Sequence, residues 1–184
     1  MAFIENTQYG CLYMTSDKIS ARHMFTTRIG GVSRGVFASW NLGVNRGDDD
    51  EAVRENYRLA GEIMGCNTDD FVVTKQVHGR IVYLATESDR YTVCSDKRIE
   101  CDDDVPAAVE RYLNGETDGL FEKKINGKTH VDLRGANARR LLQLGLEKDN
   151  IDVSDECTMC LPDKYWSHRA TDGVRGSMAA AIVL

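Results

Sequence analysis

The stretch from Asp48 to Gly65 carries the signals of one complete helix, and it sets the terms for the rest of the chain. Val53, Tyr57, Ala60, Ile63 and Met64 fall on one face at helical spacing. Asp48, Asp49, Asp50 and Glu51 gather negative charge at its start, where the helix dipole favours it. Gly65 stands where a helix stops. A second stripe, Val105, Ala108, Val109, Tyr112 and Leu113, opens beside Pro106, a residue suited to a first helical turn. Ala136 to Leu144, closed by Gly145, reads as a third helix.

Short β-rich runs lie around these helices: Gly10 to Met14, Ala21 to Thr27, Phe71 to Thr74, Ile81 to Ala85 and Ile151 to Val153. Ser39 to Val44 reads as a strand end, and Ser177 to Leu184 as a buried terminal strand. Gly119 to Ile125 and Lys128 to Leu133 are joined by Asn126-Gly127, the strongest short hairpin signal. Gly30-Gly31 supplies a turn that tolerates positive φ. Strands and helices are interspersed without strict βαβ alternation. The expectation is an α+β fold of packed mixed β-sheets flanked by helices, not a doubly wound sheet.

The 184 residues fit one domain, 1–184. Apolar residues make up 42%, enough for a core without disulfides or metals. The net charge of −6 lacks the basic face of a free-standing nucleic-acid binder, so no nucleic-acid partner is expected. No apolar run approaches the roughly 20 residues of a membrane helix, so no membrane partner is expected either. Met1 to Gly10 has no basic n-region and does not read as a secretory signal. The six cysteines, Cys11, Cys66, Cys94, Cys101, Cys157 and Cys160, then read as free thiols or ligands in a cytoplasmic chain.

Thr86 to Asp104 departs from this order. It is polar, with isolated apolar residues and no sustained period. A structureless loop of that length is uncommon inside a compact domain.

Several residues can carry chemistry. His78, in Lys75-Gln76-Val77-His78-Gly79-Arg80, follows a β-rich run and precedes a glycine. It can present a metal ligand or general base to a cleft, or simply bond a carbonyl in a turn. Arg28, beside Gly30-Gly31, can offer a planar fork to phosphate or carboxylate, or stand as a surface arginine. Asn41 in Ser39-Trp40-Asn41-Leu42-Gly43 can place an amide in a pocket, or bond its own backbone. Cys157-Thr158-Met159-Cys160 has the spacing of half a zinc knuckle or a redox pair, but no second such pair completes a four-ligand site. Arg169 and Arg175 flank a glycine-bearing loop and can bind an anion or remain solvated.

Read in order, Thr27-Arg28-Ile29-Gly30-Gly31-Val32-Ser33, Asn41-Leu42-Gly43, Gln76-Val77-His78-Gly79, Asp132-Leu133-Arg134, Asp155-Glu156-Cys157-Thr158 and Ser167-His168-Arg169 resemble one family. It is the YfiH/YlmD-like family of purine nucleoside phosphorylases, long labelled laccase-domain or polyphenol oxidase proteins. The resemblance runs from about Arg22 to Thr86 and from about Ile99 to Leu184. It implies a cytoplasmic zinc enzyme (copper in the older label) whose partners are purine nucleosides and phosphate. The implied reactions are phosphorolysis of adenosine, inosine, guanosine and methylthioadenosine, and adenosine deamination. It further implies His78 as metal ligand and catalytic residue, with Arg28, Asn41, Gln76 and Arg169 around the substrate.

The chain also departs from that pattern. The family's Ala-Asp-Cys-Val-Pro and His-Ala-Gly-Trp-Arg-Gly motifs, which carry the other two metal ligands, are absent. Both belong between the strand ending near Ala85 and the helix beginning at Val105, in the irregular stretch already noted. The expectation is an internal deletion between about residues 86 and 101. Glu100-Cys101-Asp102-Asp103-Asp104-Val105 resembles a later family segment, so neither Cys94 nor Cys101 takes over the metal cysteine. Two function classes stay open: an impaired nucleoside phosphorylase, and a non-catalytic remnant or binding module of the same fold. A thiol-based role for Cys157 and Cys160 is a third.

Overall fold

The computed structural model describes residues 3–75, 93–95, 105–123, 125 and 129–183. Gln76, His78, the Ile81 to Ala85 run, most of the Thr86 to Asp104 stretch and the Asn126-Gly127 turn lie outside them. The chain divides into two compact units. One comprises Met1–Val73, Ala85–Val93 and Ser154–Leu184; the other comprises Thr74–Leu84 and Cys94–Val153. The architecture is α+β, as the interspersed pattern predicts.

In the first unit, β1 (Ile4–Gln8), β2 (Cys11–Thr15), β3 (His23–Thr26) and β8 (Ala180–Ile182) form an antiparallel sheet in the order β1-β2-β3-β8. Helix α1 (Asp50–Met64) begins where its sequence says it should. The Asp49 side chain accepts from Glu51 N at 2.8 Å and Ala52 N at 3.3 Å, a cap worth about 1 kcal/mol. Gly65, at φ 68°, ends the helix in the left-handed region. A Cβ there would meet the Arg22 guanidinium, which donates to Met64 O at 3.0 Å. The core gathers Leu59, Ala60, Ile63 and Met64 of α1 with Cys11, Met24, Trp40 and Leu42.

Strand β4 (Val73–Lys75) pairs with β5 (Val93–Ser95). In the second unit, α2 (Val105–Tyr112) and α3 (Leu133–Gln143) accompany the antiparallel pair β6 (Phe121–Lys123) and β7 (Thr129–Val131). Val109, Leu113, Leu120 and Ala136 form a smaller core, joined by Phe121 and Val131.

Four details correct the sequence expectations. Ser39 to Val44 is not a strand: Trp40 N bonds Arg28 O at 2.9 Å and Leu42 N bonds Ser177 O at 3.0 Å, irregular partners in place of a ladder. Ile151 to Val153 is likewise outside any strand, and Ile151 N is held by Lys148 O in a turn. The terminal strand is short and only half covered: Ala181 packs on the core, while Ile182 is 55% exposed. Leu133 is the first residue of α3, because the Asp132 side chain accepts from Gly135 N at 3.0 Å and starts a helix there. Strands β6 and β7 pair as the hairpin reading expects, with Lys123 opposite Thr129, while the Asn126-Gly127 turn lies outside the described residues. This register puts Phe121 opposite Val131 on the core side and exposes Glu122 and His130.

Candidate functional site

Three of the singled-out stretches meet in the first unit, around the loop that follows β3. The loop is anchored by its backbone: Thr27 N reaches Leu12 O, and Arg28 N reaches Lys164 O at 2.9 Å. Arg28 then spends its fork on the protein. One terminal nitrogen donates to Pro162 O and the other to Ala38 O, both at 2.7 Å, and the guanidinium carbon lies 4.0 Å from the Trp166 ring centroid. A planar cation clamped by two carbonyls over an aromatic face fixes three segments of chain to one another.

Asn41 is fully buried. Its side-chain oxygen accepts from Gly43 N and Ser177 N, each at 2.8 Å, and its amide nitrogen donates to Asp48 Oδ2 at 2.8 Å. The bond to Gly43 is the local backbone turn that the sequence allows for such an asparagine. The bond to Ser177 is a long-range tie that no local pattern reveals.

Asn56 completes this network. It sits on the buried face of α1, accepts from Val32 N at 2.9 Å, and donates at 2.8 Å to both Ser33 Oγ and Asn41 O. Trp40 Nε1 donates to Asn56 O at 3.2 Å. Asn56 is not among the candidates that residue type and spacing single out. The available signal is its position: it lies three residues after Val53 and four before Ala60, inside the apolar stripe, and a buried polar group there must find partners. Gly31, at φ 75°, belongs to the same cluster. A Cβ would come within 2.5 Å of Asn56 Oδ1 and 2.7 Å of the Trp40 Cα.

A second polar cluster joins the N-terminal strand to the segment after Ser154. Lys164 Nζ donates to Glu156 at 2.7 Å and also to Glu5, and Tyr165 donates its hydroxyl to Glu156. Burial works against the lysine's charge, but the two carboxylates outweigh it and hold Lys164 above the usual lysine range. Lys164 and then Tyr165 hold the Glu156 carboxyl below the usual carboxylate range. Burial, followed by the bond to Glu156, pushes the Tyr165 hydroxyl up to about 12.

Among the remaining candidates, Arg169 and His168 are exposed, and Arg175 donates to Gly176 O at 2.8 Å. His23 is buried with both ring nitrogens engaged: Nδ1 faces Ala21 O and Nε2 accepts from Ser16 N, each at 2.8 Å. That pairing defines the neutral tautomer protonated at Nδ1. A groove of about 510 Å³ is lined by Tyr13, Thr15, Arg22, His23 and Glu62, among others, and none of Arg28, Asn41 or Arg169 contributes to it. Cys157 and Cys160 are exposed free thiols. Among the described residues no three His, Cys, Asp or Glu side chains gather as a metal site, and His78 lies outside them.

The chain matches the family described as multi-copper polyphenol oxidoreductase laccase in two blocks, residues 22–98 and 92–184. It is 42% identical over 67 residues to the purine nucleoside phosphorylase of Corynebacterium glutamicum, a stretch that spans 36% of this chain and 27% of that protein. It is 25% identical over 240 positions to the purine nucleoside phosphorylase YlmD of Geobacillus stearothermophilus, covering 85% of this chain and 88% of the relative. The crystal structure of YlmD from Geobacillus stearothermophilus superposes with a TM-score of 0.83 at 23% identity, over 97% of each chain, which shows a shared fold.

Proposed function

The chain belongs to the multi-copper polyphenol oxidoreductase laccase family, and on that premise we propose that it is a purine nucleoside phosphorylase homologue with weakened activity. The observation that carries the reading is the pair of family matches, which together run from residue 22 to residue 184 as two separate blocks overlapping at residues 92–98. The YlmD alignment occupies 240 positions, more than the 184 residues of this chain, so it steps over residues of the relative that this chain lacks. Both facts support an internal deletion at about residues 86–101, and with it the loss of the family's second and third metal ligands.

In phosphorolysis, phosphate attacks the ribose C1′ as the C1′–N bond to the purine breaks. Positioning and stabilisation of developing charge supply most of the rate in such a step. In this reading His78 is the catalytic residue, and Gln76 and Arg169 contact substrate or phosphate. Arg169 is exposed and free to turn toward an anion. Arg28 and Asn41, expected beside the substrate, spend their polar atoms on their own loops: two guanidinium nitrogens lie on carbonyls and the Asn41 oxygen is doubly occupied. The sequence lacks the family motifs that carry two of the three metal ligands, so zinc is expected to bind poorly, and no step is routed through it. Cytoplasmic location belongs to the same reading; among the described residues no helix is long and apolar enough to cross a membrane.

The test is a coupled phosphorolysis assay on adenosine and inosine, run beside Geobacillus stearothermophilus YlmD, with zinc measured on the same samples. Zinc well below one per chain and turnover at least about 100-fold below YlmD are expected, since removing single electrostatic groups from such sites costs that much. Near-stoichiometric zinc with His78-dependent turnover at the level of YlmD would overturn the impairment. A complete lack of turnover and of nucleoside binding would favour the non-catalytic remnant.

A further inference from the structure

Between Ser154 and Lys164 the chain reverses at Cys157–Cys160. Cys160 N donates to Cys157 O at 3.1 Å, and Leu161 N donates to the same carbonyl at 3.0 Å. A turn closed by that first bond holds its end Cα atoms within about 7 Å. A disulfide needs roughly 4.4–6.8 Å between its Cα atoms, so the turn already brings the backbone into range. Both cysteines are exposed, and their thiols are hydrogen-bonded to each other. The other two cysteines whose side chains are described differ. Cys11 is buried in the core and Cys66 is half-buried, and burial pushes both thiols up.

We propose that Cys157 and Cys160 form a thiol–disulfide exchange site that takes small-molecule disulfides at the protein surface. The Cys160 thiol is pushed up first by its hydrogen bond to Cys157 and then by the charge there. Written from Cys157, the exchange starts with loss of its proton, with the Cys160 thiol beside the resulting thiolate. The Cys157 thiolate attacks one sulfur of a disulfide RSSR. A mixed disulfide forms, and one RS⁻ leaves and takes up a proton. Cys160 then gives up its proton and attacks the Cys157 sulfur, expelling the second RS⁻, which is protonated in turn. The dithiol is oxidised by two electrons to an intramolecular disulfide, and RSSR is reduced to two RSH. Exchange of this kind needs access and a second thiol within reach, and among these four cysteines the exposed pair at the turn offers both.

The experiment uses the whole purified chain, equilibrated with mixtures of reduced and oxidised glutathione, quenched in acid, alkylated and digested with trypsin. As the oxidised share rises, the peptide Asp149–Lys164 should lose both alkylation marks together and two hydrogens in mass, while Cys11 and Cys66 stay alkylatable. Cys160→Ser should trap one glutathione on Cys157. Cys157→Ser should leave Cys160 able to take up one glutathione that no second thiol can expel. Both substitutions lie on the surface, and an unchanged circular dichroism spectrum checks the fold. The proposal fails if the wild-type peptide accumulates glutathione adducts without closing, or if either cysteine bridges to another cysteine instead. The wild-type measurement decides both points whether or not either variant folds.

Discussion

The unit built on the four-stranded sheet and the unit built on β6–β7 bury their apolar residues by different means. In the first, buried side chains from α1, the sheet and the loop after β3 interlock around Trp40, and the polar groups among them are tied to one another through Asn41 and Asn56. In the second, the core among the described residues gathers Val109, Leu113, Leu120 and Ala136, and Ala136 is the one buried residue of α3. Its docking relies on polar clamps: Arg139 donates to Glu116 O at 2.6 Å and Asp118 O at 2.9 Å, and Gln143 donates to Leu113 O at 2.9 Å. Leu142 and Leu144 of the same stretch are 44% and 62% exposed. A region stitched by buried polar ties is intolerant of change at its centre, whereas one with a thin core and exposed leucines tolerates change on most of its surface.

The largest expected effect tests the centre of each unit. Trp40→Ala should cost about 3–5 kcal/mol, since it empties a fully buried site and removes the indole's bond to the carbonyl of Asn56. Leu113→Ala, equally buried, should cost about 2–4 kcal/mol. Urea unfolding followed by circular dichroism measures both, and a larger loss at Leu113 would reverse the comparison. The next effect concerns alkaline pH. Burial pushes the Tyr57 hydroxyl up to about 12, with its proton donated to Leu42 O at 2.9 Å. The folded state therefore holds a proton that the unfolded chain releases near pH 10. Stability is intact below that value and falls as pH rises toward 12, by about 2–3 kcal/mol. Tyr57→Phe should flatten this alkaline loss; an unchanged slope in urea midpoints from pH 9 upward would assign it to other groups.

Smaller effects sharpen the picture. Asp49→Ala removes the cap of α1 and should cost about 1 kcal/mol. Leu142→Gln, on the exposed side of α3, should change stability by less than about 0.5 kcal/mol. If Leu142→Gln proves the costlier of the two by thermal melting, that leucine is covered in solution by something outside the described residues.

Helix α1 was legible in the sequence because cap, stripe and stop agree with one another. The β6–β7 hairpin was legible as a pairing, while its register depends on loop geometry that Asn-Gly alone does not determine. Strand β1 was missed for a physical reason. Ile4–Gln8 has no apolar alternation and is mostly exposed, and it is a strand because β2 pairs with it from Ile4↔Thr15 to Gln8↔Cys11. The Ser39 to Val44 run was misread because Trp40 and Leu42 look like strand residues, yet their backbone partners are Arg28 and Ser177, far apart in sequence. For the candidate site, Arg28 and Asn41 were picked out by type and neighbourhood. What their polar atoms touch depends on Pro162, Ala38 and Ser177, which no spacing rule connects to them.

The pairing of β3 with β8 sets the order of events when the chain folds. The β1–β2 hairpin and its junction with β3 join neighbours in sequence and can form early. His23, Met24 and Phe25 must wait for Ile182, Ala181 and Ala180. Closing so long a loop is slow, because its entropy is lost before the contacts form. On a ribosome, β3 keeps an open edge until nearly all of these residues have been made, and an unpaired edge invites other strands. Refolding at rising protein concentration should therefore lose yield to aggregation, and an added peptide carrying the β8 sequence should recover part of it by occupying that edge.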